Sequence, residues 1–242
     1  MMAEDRLALV TGASKGIGAA IAKRLAADGY HVILTARTEA GLIETEDAIH
    51  AAGGTATIAP VDLLNGDDID KLATAIGARW EKLDVLVLNA ATLGTLTPLA
   101  HASPKEFDTV MALNVTAQWR LIRAFDTMLR LGRGTVVAVT SSVANRAEAY
   151  WAPYSASKAA LENMVGVYAE EMRALGVNVL VVDPGGTRTT MRARAFPGED
   201  PKTLKTPDVV GDAIGQALLG LPPGLSRLRV AKDGAVSLSQ AA

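Results

Sequence analysis

The chain contains no cysteine, and that absence removes several kinds of chemistry at once. No disulfide framework, thiolate zinc site, iron–sulfur cluster or cysteine nucleophile can be built from it. A reducing compartment suits such a chain, so a cytoplasmic location is expected. Histidine is nearly as scarce: His31, His50 and His101 are widely spaced and show no metal-ligand pattern, so no metal site is expected. A dominant charge is missing too. With 24 Lys and Arg against 26 Asp and Glu the formal net charge is −2, which argues against a nucleic-acid partner held mainly through phosphates. No stretch reaches the ~18 uninterrupted apolar residues of a membrane span, so no membrane partner is expected. The opening Met1-Met2-Ala3-Glu4-Asp5-Arg6 is short and acidic, without the apolar core of a signal peptide before Leu7.

What is present is an ordinary globular composition, 49% hydrophobic and 21% charged over 242 residues. That supplies enough apolar surface to offset chain ordering, in a length that one α/β domain can hold. Short apolar runs at 7–10, 31–34, 56–59, 85–88, 135–139 and 177–182 read as strands, with a weaker one at 227–230. Helix-length periodicities at 17–28, 39–52, 66–81, 104–131, 154–174 and 207–219 alternate with them. Several strands are apolar on both faces, as parallel strands covered on each side must be. The order predicts one Rossmann-like domain over 1–242: a doubly wound parallel sheet of about seven strands with helices on both faces. Only 184–207 is loop-rich, carrying Pro184, Pro197, Pro201 and Pro207, and a substrate loop is expected near 187–207.

The first strand runs into Thr11-Gly12-Ala13-Ser14-Lys15-Gly16-Ile17-Gly18, and a helix follows at once. Glycines there permit a tight turn and close approach of backbone to a pyrophosphate, while the helix N-terminus offers free N–H groups. The spacing is Gly-x3-Gly-x-Gly rather than the longer dinucleotide fingerprint, so alone it reads equally as a turn into a helix. Its position after the first strand of an alternating chain favours nucleotide binding. The second strand ends at Leu34-Thr35-Ala36-Arg37, where an NAD-binding domain usually places an acid on the ribose hydroxyls. Lys15 and Arg37 would instead suit a 2′-phosphate, which favours NADP(H) over NAD(H).

A second informative stretch is Ser141-Ser142-Val143 followed by Tyr154-Ser155-Ala156-Ser157-Lys158. Tyr154 and Lys158 share one helix face. A phenol near pKa 10 is a poor acid–base group at neutral pH, and a neighbouring ammonium should lower it. A serine hydroxyl at the strand end could bond a carbonyl oxygen as charge develops on it. The tyrosine–lysine pair alone reads equally as an exposed tyrosine beside a solvated lysine. Trp151 and Tyr150, just before the helix, are candidates for a substrate pocket or for plain packing.

Together these motifs resemble those of the short-chain dehydrogenase/reductase family, from Leu7 to about Leu219. Thr11-Gly12-x3-Gly16-x-Gly18 is similar to that family's glycine motif, which implies Gly12, Ser14, Lys15, Gly16, Ile17 and Gly18 as cofactor contacts. Asp62 and Leu63 in Val61-Asp62-Leu63 resemble the adenine-contacting position, and Asn89-Ala90 resembles the start of an Asn-Ala-Gly segment. Asn114 in Leu113-Asn114-Val115 resembles the asparagine that completes a catalytic tetrad with Ser142, Tyr154 and Lys158, positioning a water. Pro184-Gly185 followed by Thr187 and Thr189 resembles the segment that holds the nicotinamide, beside Tyr154 and Lys158.

Two departures stand out. Ala91 replaces the glycine of Asn-Ala-Gly, which would strain the chain if that position needs φ > 0. Ser142 lies one residue nearer Tyr154 than the commonest family spacing. Ser141 restores the spacing, but strand alternation should turn it away, so Ser142 is expected to be the catalytic serine. The resemblance implies an NADP(H)-dependent oxidoreductase acting on a small-molecule carbonyl or secondary alcohol, with homodimers or homotetramers joined through the helices at 104–131 and 154–174. The alternatives are a nucleotide-binding regulatory protein without turnover and a dehydratase or epimerase of the same fold.

Overall fold

Strands apolar on both faces can only lie between two helical layers, and the chain meets that demand with one central sheet. A computed structural model describes residues 6–240; the segment 1–5, on which the expectation about a leader falls, and residues 241–242 lie outside the described residues. The strands are β1 (Arg6–Thr11), β2 (Tyr30–Ala36), β3 (Thr55–Pro60), β4 (Val85–Leu88), β5 (Thr135–Val139), β6 (Asn178–Asp183), β7 (Leu225–Val230) and β8 (Val236–Gln240). They lie in the order β3-β2-β1-β4-β5-β6-β7-β8. All neighbours pair in parallel except β7 with β8, which is antiparallel. The sheet therefore carries one strand more than the seven expected.

Alternation divides the core. From β1, Leu7 and Leu9 pack on one face with Leu86, Val136, Leu121, Phe125, Leu161 and Val165. Ala8 and Val10 pack on the other with Val32, Val137, Leu180, Ile21, Leu25 and Ile214. The helices that cover these faces are α1 (Gly16–Ala27), α2 (Glu39–Ala51), α3 (Gly66–Gly77), α4 (Pro104–Met111), α5 (Ala117–Gly132), α6 (Ala152–Met172), α7 (Thr190–Ala195) and α8 (Pro207–Leu219). The helix expected over 104–131 is broken by a π-helical turn at Ala112–Thr116. There the buried Asn114 side chain takes up both the N–H and the carbonyl of Thr92, at 2.9 Å each. The loop-rich segment holds α7, whose first turn is capped by the Thr189 hydroxyl accepting from the Arg192 N–H.

β1 pairs with β2 on one side and β4 on the other. Chain connections leave it in opposite directions, and ligands of such sheets bind in the crevice at the carboxyl ends of the strands near that switch. Among the described residues, no helix is long and apolar enough to cross a membrane.

Candidate active site

The crevice is built first by β1 and the turn after it. Thr11, fully buried at the end of β1, donates its hydroxyl to the Val87 carbonyl at 2.8 Å and accepts from the N–H groups of Asn89 and Ala90. The Asn89 amide in turn donates to the carbonyls of Thr11 and Gly12. β1 and β4 are thus locked together where the glycine turn begins. Gly12 has φ 65, and a Cβ there would lie 2.8 Å from the Asn89 amide nitrogen. A Cβ on Gly18 would collide with the Gly12 carbonyl oxygen. Helix α1 therefore sits against the turn at a distance only glycine allows, with its N-terminus facing the crevice.

A cavity of about 380 Å³ runs along this edge. Every position expected to contact a cofactor lines it: Gly12, Ser14, Lys15, Gly16, Ile17, Gly18, Arg37, Asp62, Leu63, Asn89, Ala90, Tyr154, Lys158, Pro184, Gly185, Thr187 and Thr189. At one end Lys15 and Arg37 are both exposed, and neither makes an ion pair among the described residues. Asp62 closes its own turn by accepting from the Leu64 N–H at 3.1 Å. A glycine cradle at a helix N-terminus, with two unpaired cations beside the end of β2, fits a phosphorylated dinucleotide.

At the other end α6 presents Tyr154 and Lys158, which are 7% and 2% exposed. The Lys158 ammonium lies 5.7 Å from the centre of the Tyr154 ring and donates to the Val139 carbonyl at 2.7 Å. Around the phenol the wall is apolar: Leu93, Trp151, Met191 and Ala195 line the cavity, and Leu93, Val143 and Tyr154 are packed into one cluster. The Trp151 ring meets Tyr154 edge-on at 6.0 Å and lies 5.7 Å from Phe196. Arg192 caps Phe196 at 3.7 Å and is held by Glu199 through bonds of 2.6 and 2.9 Å. Trp151 belongs to the cavity wall; Tyr150 does not. The sequence reading did not single out Met191, Arg192 and Ala195 as wall residues. Their only signal was their place in the expected substrate loop.

The structure separates the two serines. Ser141 lines the cavity with Tyr154 and Lys158, whereas Ser142 is exposed and outside it. Alternation fails as a guide because β5 ends at Val139 and Ser142 already opens a short 3-10 turn. Asn114 lies in the π-helical turn. Its side chain is fully buried, bonds Thr92 and donates to the Ser157 hydroxyl at 3.0 Å, and does not reach the cavity. It braces the wall behind the site. Ala91 carries no strain, since the only described non-glycine residues with positive φ are Arg133 and Tyr150.

The ionisation of the pair runs against the simple expectation. Burial, assisted by the Asp183 charge, pushes the Tyr154 phenol above its ordinary value. Burial lowers Lys158 to about 8, and the nearby Glu162 charge partly opposes that. The lysine is spent on a main-chain carbonyl, so the phenol stays protonated across neutral pH.

Lys158 thereby costs stability. Its value in the fold, about 8, lies below the ordinary 10.5, so between the two the unfolded chain binds more protons. Stability rises with pH through that window, and the cost is fully present below it. Lys158→Met is expected to raise the unfolding free energy at pH 7 by about 1–3 kcal/mol. Denaturant melts should show the gain shrinking as pH approaches 10.5. A variant less stable than wild type at pH 7 would contradict the cost.

Comparison with known proteins bears on the family and the fold. Residues 6–200 match the family model described as short chain dehydrogenase. An uncharacterised oxidoreductase, YciK, of Escherichia coli strain K12 is 40% identical over 208 residues, 84% of this chain and 82% of that protein. A short chain dehydrogenase of Shigella flexneri 2a, solved in complex with NADP, superposes with a TM-score of 0.85 at 38% identity, covering 90% of this chain and 92% of its own. One from Escherichia coli CFT073, solved with NADPH, gives 0.83 at 38% identity, covering 89% and 90%.

Proposed function

The chain belongs to the short-chain dehydrogenase family, and from that premise we propose that it is an NADP(H)-dependent oxidoreductase acting on a carbonyl or secondary alcohol. One observation carries the reading: a single cavity joins a glycine turn flanked by two unpaired cations to a buried tyrosine and lysine and a half-buried serine. The relatives solved with NADP and NADPH support the choice of cofactor.

The turn at 12–18 and the start of α1 hold the pyrophosphate, and Lys15 and Arg37 meet the 2′-phosphate. Pro184, Gly185, Thr187 and Thr189 line the same cavity as Lys158; they would hold the nicotinamide, and Lys158 would hold its ribose. When bound, the nicotinamide supplies or takes up the hydride. Ser141 donates a hydrogen bond to the substrate oxygen, and Tyr154 gives its phenolic proton to that oxygen in reduction. Oxidation runs the same path backwards and needs the phenolate. The apolar wall of Leu93, Trp151 and Met191 keeps water from the reacting centre and orients the substrate. The cytoplasm and a homodimer or homotetramer complete the reading, with α5 and α6 as the joining helices. Exposed Trp119 on α5 and Val167 on α6 agree with such a contact.

Purified protein should consume NADPH with members of an aldehyde and ketone panel and form one equivalent of alcohol. Product formed without net NADPH loss would favour a dehydratase or epimerase. NADPH binding without turnover of any member would favour a regulatory protein.

A further inference from the structure

Glu162 is 6% exposed, one turn beyond Lys158 on α6, and belongs to no motif that the reaction uses. An isolated carboxylate there would be costly, and this one is satisfied by three donors. Its Oε1 accepts from the Thr140 hydroxyl at 2.7 Å. Its Oε2 accepts from the Asn145 amide at 3.0 Å and from the Arg227 guanidinium at 2.6 Å. Thr140 and Asn145 stand on either side of the short segment that carries Ser141. The segment closes on itself through the Ala144 N–H to the Ser141 carbonyl, and meets α6 again where the Ser155 hydroxyl bonds the Val143 carbonyl.

We propose that Glu162 is a positioning residue that clamps the segment bearing Ser141 onto the helix that bears Tyr154 and Lys158. The clamp rests on the oxidoreductase reading above, since it fixes the distance between a hydroxyl on one element and a phenol on another. Both must meet one substrate oxygen, and an error of about 1 Å in such an arrangement is expensive. Arg227 reaches in from β7 and supplies the counter-charge, so the carboxylate stays ionised. Burial pushes the carboxyl up, but bonds from Asn145, Thr140 and Arg227 bring it below the ordinary range. The same negative charge favours the protonated form of Lys158. Tyr154 on α6 feels instead the charge of Asp183 at the end of β6, whose partner is Arg229.

The test uses the full chain with NADPH and any carbonyl that wild type reduces. Glu162→Ala is expected to lower kcat at least tenfold while the KM for NADPH changes less than threefold, because no residue of the glycine turn is touched. Glu162→Gln keeps the bulk and a carbonyl acceptor but not the charge. It should retain more kcat than Glu162→Ala, with its alkaline limb moved to lower pH because Lys158 loses its neighbouring anion. In a double-mutant cycle, Asn145→Ala should cost several-fold in wild type and nothing further in Glu162→Ala. Hydrogen exchange without cofactor gives a readout independent of turnover: the amides of Ala144 and Asn145 should exchange at least tenfold faster in Glu162→Ala, with mid-α6 amides unchanged. Wild-type kcat and wild-type exchange in Glu162→Ala would overturn the clamp, as would full additivity with Asn145→Ala. Absence of turnover in wild type would instead overturn the oxidoreductase reading, and exchange alone would then decide the clamp.

Discussion

Tyr154→Phe is expected to lower NADPH-dependent carbonyl reduction by about 10²–10⁴-fold, the range of a lost general acid, while leaving the fold intact. The ring is 7% exposed and packs edge-on against Trp151 at 6.0 Å. Phenylalanine fills the same space, so the melting temperature should stay within a few degrees and NADPH affinity within a few-fold. What disappears is the buried phenolic hydroxyl beside Lys158 to which the proposed mechanism assigns the proton. The direction of its ionisation sharpens the expectation. Burial and Asp183 favour the protonated phenol, so the proton proposed for transfer in reduction should be present throughout neutral pH.

The alkaline limit on reduction should therefore belong to Lys158, near pH 8 in the free enzyme, and appear in kcat/KM for NADPH. Alcohol oxidation needs the phenolate and should rise with pH where reduction falls. A Tyr154→Phe protein keeping more than a tenth of wild-type turnover would move the proton donor to another residue, with Ser141 the nearest candidate.

Sequence pattern anticipates the parts of this molecule that are set by two-sided burial. β4 and β5 begin and end where their apolar runs do, because both are buried between helical layers. β8 follows no such rule. Val236-Ser237-Leu238-Ser239-Gln240 is exposed along its whole length and is a strand only through its antiparallel register with β7. The helix at 104–131 shows the opposite failure. Its apolar periodicity runs unbroken, yet the need to satisfy the Thr92 backbone draws Asn114 inward and opens a π-helical turn. In the site, the positions expected to hold the cofactor fall together in one cavity, the first of them fixed locally by a turn and a helix start. Ser141 lines the cavity although strand alternation points to Ser142, because it lies two residues past the end of β5, where alternation no longer applies. Glu162 left a signal that a reading of motifs passes over: a carboxylate at an apolar-facing position of the helix carrying Tyr154 and Lys158.

Arg37→Asp should weaken NADPH binding by about 10²-fold and leave NADH binding unchanged or slightly tighter. β2 ends at Ala36, so no acid meets the ribose hydroxyls there, and the next side chain is Arg37. Arg37 and Lys15 both line the cavity, and neither is drawn away by a carboxylate among the described residues. A guanidinium on a phosphate is worth about 1.5–3 kcal/mol as a charge-assisted bond, and reversing its sign adds repulsion to that loss. NADH lacks the 2′-phosphate, so it feels only the new carboxylate, which can accept from the ribose hydroxyls. Lys15→Ala removes one cation without adding an anion and should cost NADPH about tenfold. Both cations are exposed, so the proposed preference of the wild type for NADPH should shrink as salt is raised, whereas in Arg37→Asp added salt should relieve the repulsion. Titration of each dinucleotide at two ionic strengths separates the cases. Equal losses for NADPH and NADH in Arg37→Asp would mean that Arg37 supports the turn at Ser14 and Lys15 rather than reading the phosphate.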